Sequence, residues 1–224
     1  MEPILIAFSG GCYSGKTTTI KAIKDKLSER GINVLVLDEI MRKAVEIPIS
    51  EVRKNANSYF ELERNIITAK ILQEEKAKSC GTNEVAVVLI DRALTDSLFY
   101  YENCVNRGEL ASEALENYYE FHEYLIKKTE EHFSQLYDFV LQFKPLAVSE
   151  IEDKYRPVDL KYSNRFEYEN IKRLNYYFSK APRENAAYSC RVIEVDMQQP
   201  KSDLEAALDG LCEVIKDFIT WKSK

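Results

Sequence analysis

The sequence has few of the residues that build disulfide frameworks, metal clusters and disordered linkers. Its 224 residues include only seven glycines, six prolines and two histidines. The five cysteines are odd in number and contain no C-x-x-C pair, so their spacing fits neither a zinc site nor a disulfide scaffold. We therefore expect reduced thiols in a cytoplasmic protein.

Long apolar runs and an excess of positive charge are also missing. No segment reaches the roughly 18 apolar residues that a membrane span needs, and the first residues lack the positive stretch of a secretory signal. The formal net charge is −6 and the pI is about 5.2, whereas proteins that grip duplexes usually carry a basic surface. These absences favour a small-molecule substrate over nucleic acid or a membrane, and they leave the oligomeric state open.

Five short apolar runs alternate with longer segments of helical spacing. The runs are residues 4–8, 33–37, 85–90, 137–143 and 191–195, and the helical segments are about 16–30, 51–79, 94–135, 164–180 and 201–221. Continuous apolar runs are typical of strands buried on both faces. Their alternation with helices predicts an α/β fold, a doubly wound five-stranded parallel sheet with right-handed crossovers, in a single domain spanning 1–224.

The segment 94–135 is long for a crossover and is predicted to be a helical insertion after the third strand, broken near Arg107-Gly108. It is rich in aromatic residues, among them Phe99, Tyr100 and Tyr118. Two interpretations stay open for these side chains. They could form a stacking wall for a substrate base, or they could pack the core, as aromatics at helical spacing usually do.

A glycine-rich loop follows the first apolar run. Residues 10–17 read Gly-Gly-Cys-Tyr-Ser-Gly-Lys-Thr and match the pattern G-x-x-x-x-G-K-[ST] between a predicted strand and a predicted helix. Such a loop curls so that backbone N–H groups face a phosphate, and the helix N-terminus adds partial positive charge. We expect Lys16 to reach the β- and γ-phosphates of a nucleoside triphosphate and the Thr17 hydroxyl to hold Mg²⁺. The predicted nucleotide-binding residues are Gly10, Gly11, Cys12, Tyr13, Ser14, Gly15, Lys16, Thr17 and Thr18.

A carboxylate stands at the end of the third apolar run. Asp91 follows the sequence Val88-Leu89-Ile90, and ligands of parallel sheets bind at the carboxyl ends of the strands. Asp91 is therefore predicted to lie near the glycine-rich loop and to support Mg²⁺, directly or through water. The alternative is that it caps the following helix.

These patterns, in this order, resemble the nucleoside and nucleotide kinase group of P-loop proteins. The strand followed by G-G-x-x-S-G-K-[ST]-T, here residues 10–18, is similar to the AAA-like kinase family that includes nicotinamide riboside kinase domains. Asp91 and a later D-x-x-R loop, here Asp153 to Arg156, fit the same family. The Asp91-Arg92 pair resembles the D-R motif of thymidylate kinases and deoxynucleoside kinases. The long aromatic segment departs from the shorter family members.

The resemblance implies roles for further residues. Arg92 would hold phosphate groups or organise the donor and acceptor, since guanidinium bonds phosphate through two donors, unless it is only a surface arginine near the sheet edge. Either Asp38 or Glu39, at the end of the second run, would take the proton of the acceptor hydroxyl, unless both merely cap a helix. Arg156 would belong to a lid at about 150–165 that closes over the triphosphate, unless this stretch is only a solvated basic face. Gln198 lies in the loop that would border the adenine.

The implied activity is an ATP- and Mg²⁺-dependent transfer of phosphate to a small nucleoside, nucleotide or nicotinamide riboside. Two further classes stay open, namely a kinase that acts on a nucleic-acid end or a modified base, and an ATPase switch without a small-molecule acceptor. A GTPase is not expected, because the sequence contains no N-K-x-D motif.

Overall fold

The computed structural model describes residues 2–11, 14–38, 55–80, 85–105, 112–144, 160–180, 191–196 and 201–222. Five strands alternate with helices along these ranges. In chain order the elements are β1 (Ile4–Ser9), α1 (Lys16–Glu29), β2 (Val34–Leu37), α2 (Ala56–Lys78), β3 (Val87–Asp91), α3 (Leu94–Val105), α4 (Ser112–Glu131), a π-helical turn (His132–Leu136), β4 (Phe139–Phe143), α5 (Leu160–Lys180), β5 (Arg191–Val195) and α6 (Lys201–Lys222).

The strands form one parallel sheet in the order β2-β3-β1-β4-β5. At its centre Ile6 of β1 pairs with Leu89 of β3 on one side and with Phe139 of β4 on the other. The prediction of a five-stranded parallel α/β sheet is confirmed. Because all strands run the same way, the loops after β1, β2 and β3 leave the sheet at one edge.

Helices cover both faces of the sheet, as the continuous apolar strands require. Alternate β1 residues point to opposite sides, so Ile4, Ile6 and Phe8 pack against α1 and α6. Leu5 and Ala7 face the other layer, to which α2, α3, α4 and α5 contribute. All five residues are at most 1% exposed. The glycine-rich loop therefore starts from a rigid central strand.

Several predicted boundaries are corrected by the structure. Helix α2 begins at Ala56 rather than near residue 51, because Asn55 has an extended backbone and its side-chain oxygen accepts the Ser58 N–H at 3.0 Å. Strands β3 and β4 begin two residues later than expected, at Val87 and Phe139, and helix α5 begins four residues earlier, at Leu160.

The segment 94–135 forms two helices, α3 and α4, as predicted. The predicted break near Arg107-Gly108 falls between them, within residues 106–111, which lie outside the described ranges. The second of these helices ends in the π-helical turn that leads into β4. Within the described ranges, none of the helices combines the length and the apolarity that crossing a membrane requires.

Candidate active site

The backbone of the glycine-rich loop depends on glycine at two positions. Gly15 has φ 90° and forms the N-cap of α1, a left-handed conformation that costs a residue with a side chain more than it costs glycine. At Gly10, with φ 153°, a Cβ atom would lie 2.9 Å from Cβ of Phe143 and 3.0 Å from Oγ of Ser14. The N-terminus of α1 carries a partial positive charge and directs its N–H groups outwards, so it is suited to bind phosphate oxygens.

The Lys16 side chain is held inside this loop. Its ammonium group donates to the carbonyl oxygens of Gly10 at 2.8 Å and Gly11 at 2.7 Å, and it lies 3.3 Å from Oγ of Ser14. The Ser14 hydroxyl in turn donates to the Gly11 carbonyl at 2.9 Å. Lys16 is only 6% exposed. The loop thus fixes a buried positive charge beside the helix N-terminus, where a triphosphate would need it.

A hydrogen bond between two side-chain oxygen atoms connects the start of α1, directly after the loop, to the end of β3. The Thr17 hydroxyl donates to Oδ2 of Asp91 at 3.2 Å. A hydroxyl and a carboxylate are hard oxygen ligands, and Mg²⁺ is typically held by one or two such groups together with phosphates and water. Among the described residues, no group of three or more His, Cys, Asp and Glu could hold a metal ion. The Thr17 hydroxyl and the Asp91 carboxylate fit Mg²⁺ carried with a nucleotide.

Arg92 is buried beside Asp91, so its interpretation as a surface residue is wrong. It is 8% exposed and has φ 81°, in the left-handed region that residues with a side chain rarely adopt. Its Nη1 donates to the Tyr100 hydroxyl at 3.1 Å, and its guanidinium carbon lies 4.8 Å from the centre of the Tyr100 ring. Such strained backbone persists where surrounding contacts enforce it and is concentrated at functional sites.

The buried aromatic side chains of the helical insertion fall into two groups. Tyr101 and Tyr118 stack in the main core, with ring centres 5.0 Å apart and an angle of 3° between the rings. Phe99 and Tyr100 form a separate buried cluster with Phe166 of α5. A Cβ atom on Gly11 would lie 3.8 Å from the Phe166 ring, so this cluster borders the glycine-rich loop. Burial favours the packing interpretation for the four of these residues that belong to the insertion.

The remaining predicted site residues lie partly inside and partly outside the described ranges. Asp38 is exposed and directly follows Leu37, which pairs with Ile90, the residue before Asp91. Thr18 is exposed in the first turn of α1. The predicted site residues that lie outside the described ranges are Cys12, Tyr13, Glu39, Arg156 and Gln198.

The sequence analysis missed a buried polar cluster behind the loop, formed by Ser9, Asp96 and Asn170. Oδ1 of Asp96 accepts the Ser9 hydroxyl at 2.5 Å and the Asn170 amide at 3.0 Å, and Oδ2 accepts the Gly10 N–H at 3.1 Å. The Asn170 amide also donates to the Ser9 hydroxyl oxygen at 2.6 Å. The available signal was an acidic residue in the first turn of α3, which directly follows the end of a buried strand.

Asp96 is completely buried, and its surroundings shift the pKa of its carboxyl group in opposite directions. Burial raises the pKa of Asp96 above its ordinary value. The positive charges of Arg92 and Lys16 lower the pKa in part, as do the hydrogen bonds from Ser9 and Gly10. The carboxyl group is thus electrostatically linked to the two cations that flank the candidate phosphate site.

Comparison with known proteins supports this interpretation of the fold. A family model described as an AAA domain matches residues 5–185. The structure is similar to that of a NadR protein in complex with NR, with a TM-score of 0.61, 16% identity, and coverage of 94% of this chain and 51% of that one. It is also similar to thymidylate kinase from Candida albicans, with a TM-score of 0.53, 13% identity, and coverage of 96% and 92%. The chain spans about half the length of the NadR chain. No curated protein matches the sequence.

Proposed function

The chain belongs to the AAA domain family, and from that premise we propose that it is an ATP- and Mg²⁺-dependent phosphotransferase. Its acceptor is a hydroxyl or phosphate group of a small nucleoside, nucleotide or nicotinamide riboside. The observation that carries the proposal is the 3.2 Å contact between Thr17 and Asp91, at the loop that holds Lys16 and beside the buried Arg92.

The loop residues act on the triphosphate. The N–H groups at the start of α1 bind phosphate oxygens, and the Lys16 ammonium exchanges its loop carbonyls for the β- and γ-phosphates. Thr17 and Asp91 are the residues that would hold Mg²⁺, which when bound neutralises charge on the phosphates. The N–H groups at the start of α1 are held by the helix before the substrate arrives, so they need little reorganisation when charge develops.

The transfer step needs a base and a positive charge on the acceptor side. An acceptor oxygen forms a bond to the γ-phosphorus while the bond from that phosphorus to the β–γ bridging oxygen breaks, and ADP leaves with the bridging oxygen. When the acceptor is a hydroxyl, its proton passes to the carboxylate of Asp38 or Glu39. Arg92 and the lid residue Arg156 stabilise the charge of the transferring group.

The choice of a small acceptor rests on two observations. The formal net charge of −6 gives no electrostatic support for a nucleic-acid substrate. The two similar structures are a NadR protein in complex with NR and a thymidylate kinase, whose names both point to small ligands. A nucleic-acid kinase and an ATPase switch are the other outcomes that the experiment must separate.

The experiment measures ADP formation from Mg²⁺-ATP alone and with a panel of nucleosides, nucleoside monophosphates, nicotinamide riboside and single-stranded DNA. We expect slow turnover with ATP alone and stimulation by one class of small acceptor, with transfer of labelled γ-phosphate to it. Stimulation by DNA alone would indicate the nucleic-acid kinase. Turnover that no acceptor stimulates would indicate the ATPase switch and contradict the proposed function.

A further inference from the structure

We propose that Asp96 is a positioning residue, whose carboxylate sets the conformation of the Gly10 peptide so that the glycine-rich loop can receive a triphosphate. Asp96 lies in α3, yet its Oδ2 accepts the Gly10 N–H at 3.1 Å. The carbonyl oxygen of the same glycine accepts the Lys16 ammonium at 2.8 Å. The carboxylate therefore acts on Lys16 through one glycine residue and does not itself touch the substrate. This inference rests on the function proposed above.

Gly10 has no side chain that could fix its backbone, and the surrounding atoms leave no room for one, so its conformation depends on contacts such as the hydrogen bond to Asp96. A Cβ atom there would lie 2.9 Å from Cβ of Phe143 and 3.1 Å from its carbonyl oxygen. With φ 153° its backbone is also outside the range that residues with a side chain usually adopt. A hydrogen bond from its N–H to a buried carboxylate is charge-assisted and fixes the peptide orientation strongly.

The same cluster connects the loop to α5. The side-chain amide of Asn170 donates to Oδ1 of Asp96 at 3.0 Å and to Oγ of Ser9 at 2.6 Å. One turn later, Arg173 of α5 forms an ion pair with Glu102 of α3. The cluster of Ser9, Asp96 and Asn170 therefore joins the glycine-rich loop to α5.

The chain offers a matched control for this hydrogen bond at the opposite end of β1. The Leu5 N–H donates to Oδ2 of Asp138 at 2.9 Å, so a second carboxylate also binds a backbone amide of the same strand. The Asp138 side chain is 11% exposed and lies 3.8 Å from the ammonium group of Lys78. Asp96→Asn and Asp138→Asn thus remove comparable groups, but only the first lies behind the loop.

The test measures the dissociation constant for Mg²⁺-ATP in the absence of acceptor, together with Tm, for the wild type and both variants. An asparagine has one carbonyl oxygen and an NH₂ group, so Asp96→Asn loses the charge and one acceptor position. We expect the Kd of Asp96→Asn to rise about tenfold or more, equivalent to about 1.4 kcal/mol, with Asp138→Asn within about twofold of the wild type. The KM for ATP should rise in parallel while the acceptor KM stays unchanged.

An unchanged Kd for folded Asp96→Asn would overturn the inference, even if its Tm falls, because a merely structural residue lowers Tm without altering the affinity of the folded protein. If Asp96→Asn does not fold, Asn170→Ala serves instead, with an expected rise in Kd of about threefold or more from the loss of two hydrogen bonds to Asp96 and Ser9. A wild type that binds ATP without transferring phosphate contradicts the proposed function alone. A wild type that does not bind ATP contradicts both.

Discussion

The replacement Gly10→Ala should damage the loop by a steric effect that the structure specifies. The added Cβ would lie 2.9 Å from Cβ and 3.1 Å from the carbonyl oxygen of Phe143. Neither atom can rotate away, because Phe143 is 1% exposed, pairs with Val195 across the sheet and stacks on Phe8 with ring centres 5.9 Å apart. The loop must therefore move instead of the strand.

The size of the effect follows from the cost of overpacking. Added methyl groups in a close-packed site cost about 1–3 kcal/mol. At roughly 2–4 °C per kcal/mol for a chain of this length, Tm should fall by roughly 2–12 °C. Because the Gly10 carbonyl accepts the Lys16 ammonium at 2.8 Å, movement of the loop should also weaken Mg²⁺-ATP binding.

The matched control is Gly210→Ala in α6. A Cβ atom at Gly210 would meet no atom within 4 Å, and the residue lies in the interior of a helix. Alanine is favoured over glycine there by about 0.8–1 kcal/mol, so Tm should rise and ATP binding should not change. Calorimetric scans and ATP titrations of both variants measure these differences. The steric reasoning is refuted if Gly10→Ala keeps the Tm and ATP affinity of the wild type.

Three further replacements test other parts of the site and core. Asp91→Asn should raise the Mg²⁺ concentration needed for half-maximal rate far more than it weakens metal-free nucleotide binding; an unchanged Mg²⁺ titration would return Asp91 to a capping role. Arg156→Ala should lower kcat more than it raises the KM for ATP. The lid would be refuted if this variant has the kcat and KM of the wild type and if hydrogen exchange across 150–165 is the same with and without ATP plus acceptor. Tyr137→Phe should cost about 1–3 kcal/mol in unfolding free energy, because the Tyr137 hydroxyl donates to Glu74 at 2.8 Å and accepts the Leu94 N–H at 3.2 Å; denaturant titration would disprove this if the variant unfolds like the wild type.

The parts of the site that the sequence predicts are those built from contiguous residues. The glycine-rich loop is defined by a contiguous pattern that includes Gly10 and Gly15, so the pattern identifies it without knowledge of the fold. Asp91 could also be placed, since a residue at the end of a parallel strand must reach the same sheet edge as the loop. The 3.2 Å contact between Thr17 and Asp91 agrees with that placement, while the metal-binding role stays a prediction.

The parts that the sequence does not predict depend on contacts between distant residues. Ser9 and Asp96 are 87 positions apart, and Ser9 and Asn170 are 161 apart. Each of these side chains has an ordinary local alternative, such as a cap or a surface position, and only the packing of α3 and α5 behind the loop brings them together. The predicted start of α2 was wrong for a local reason, because the sequence analysis did not identify Asn55 as the N-cap of this helix.

The central claim, that this loop transfers the γ-phosphate of ATP, is tested most directly by replacing Lys16. Transfer of labelled γ-phosphate to the acceptor is compared between the wild type, Lys16→Ala and Lys24→Ala, the last being an exposed lysine on the same helix. We expect Lys16→Ala to lower the transfer rate by about 100-fold or more, since a positive charge on the transferring group is lost, and Lys24→Ala to match the wild type. A folded Lys16→Ala protein that transfers phosphate at the wild-type rate would contradict the account.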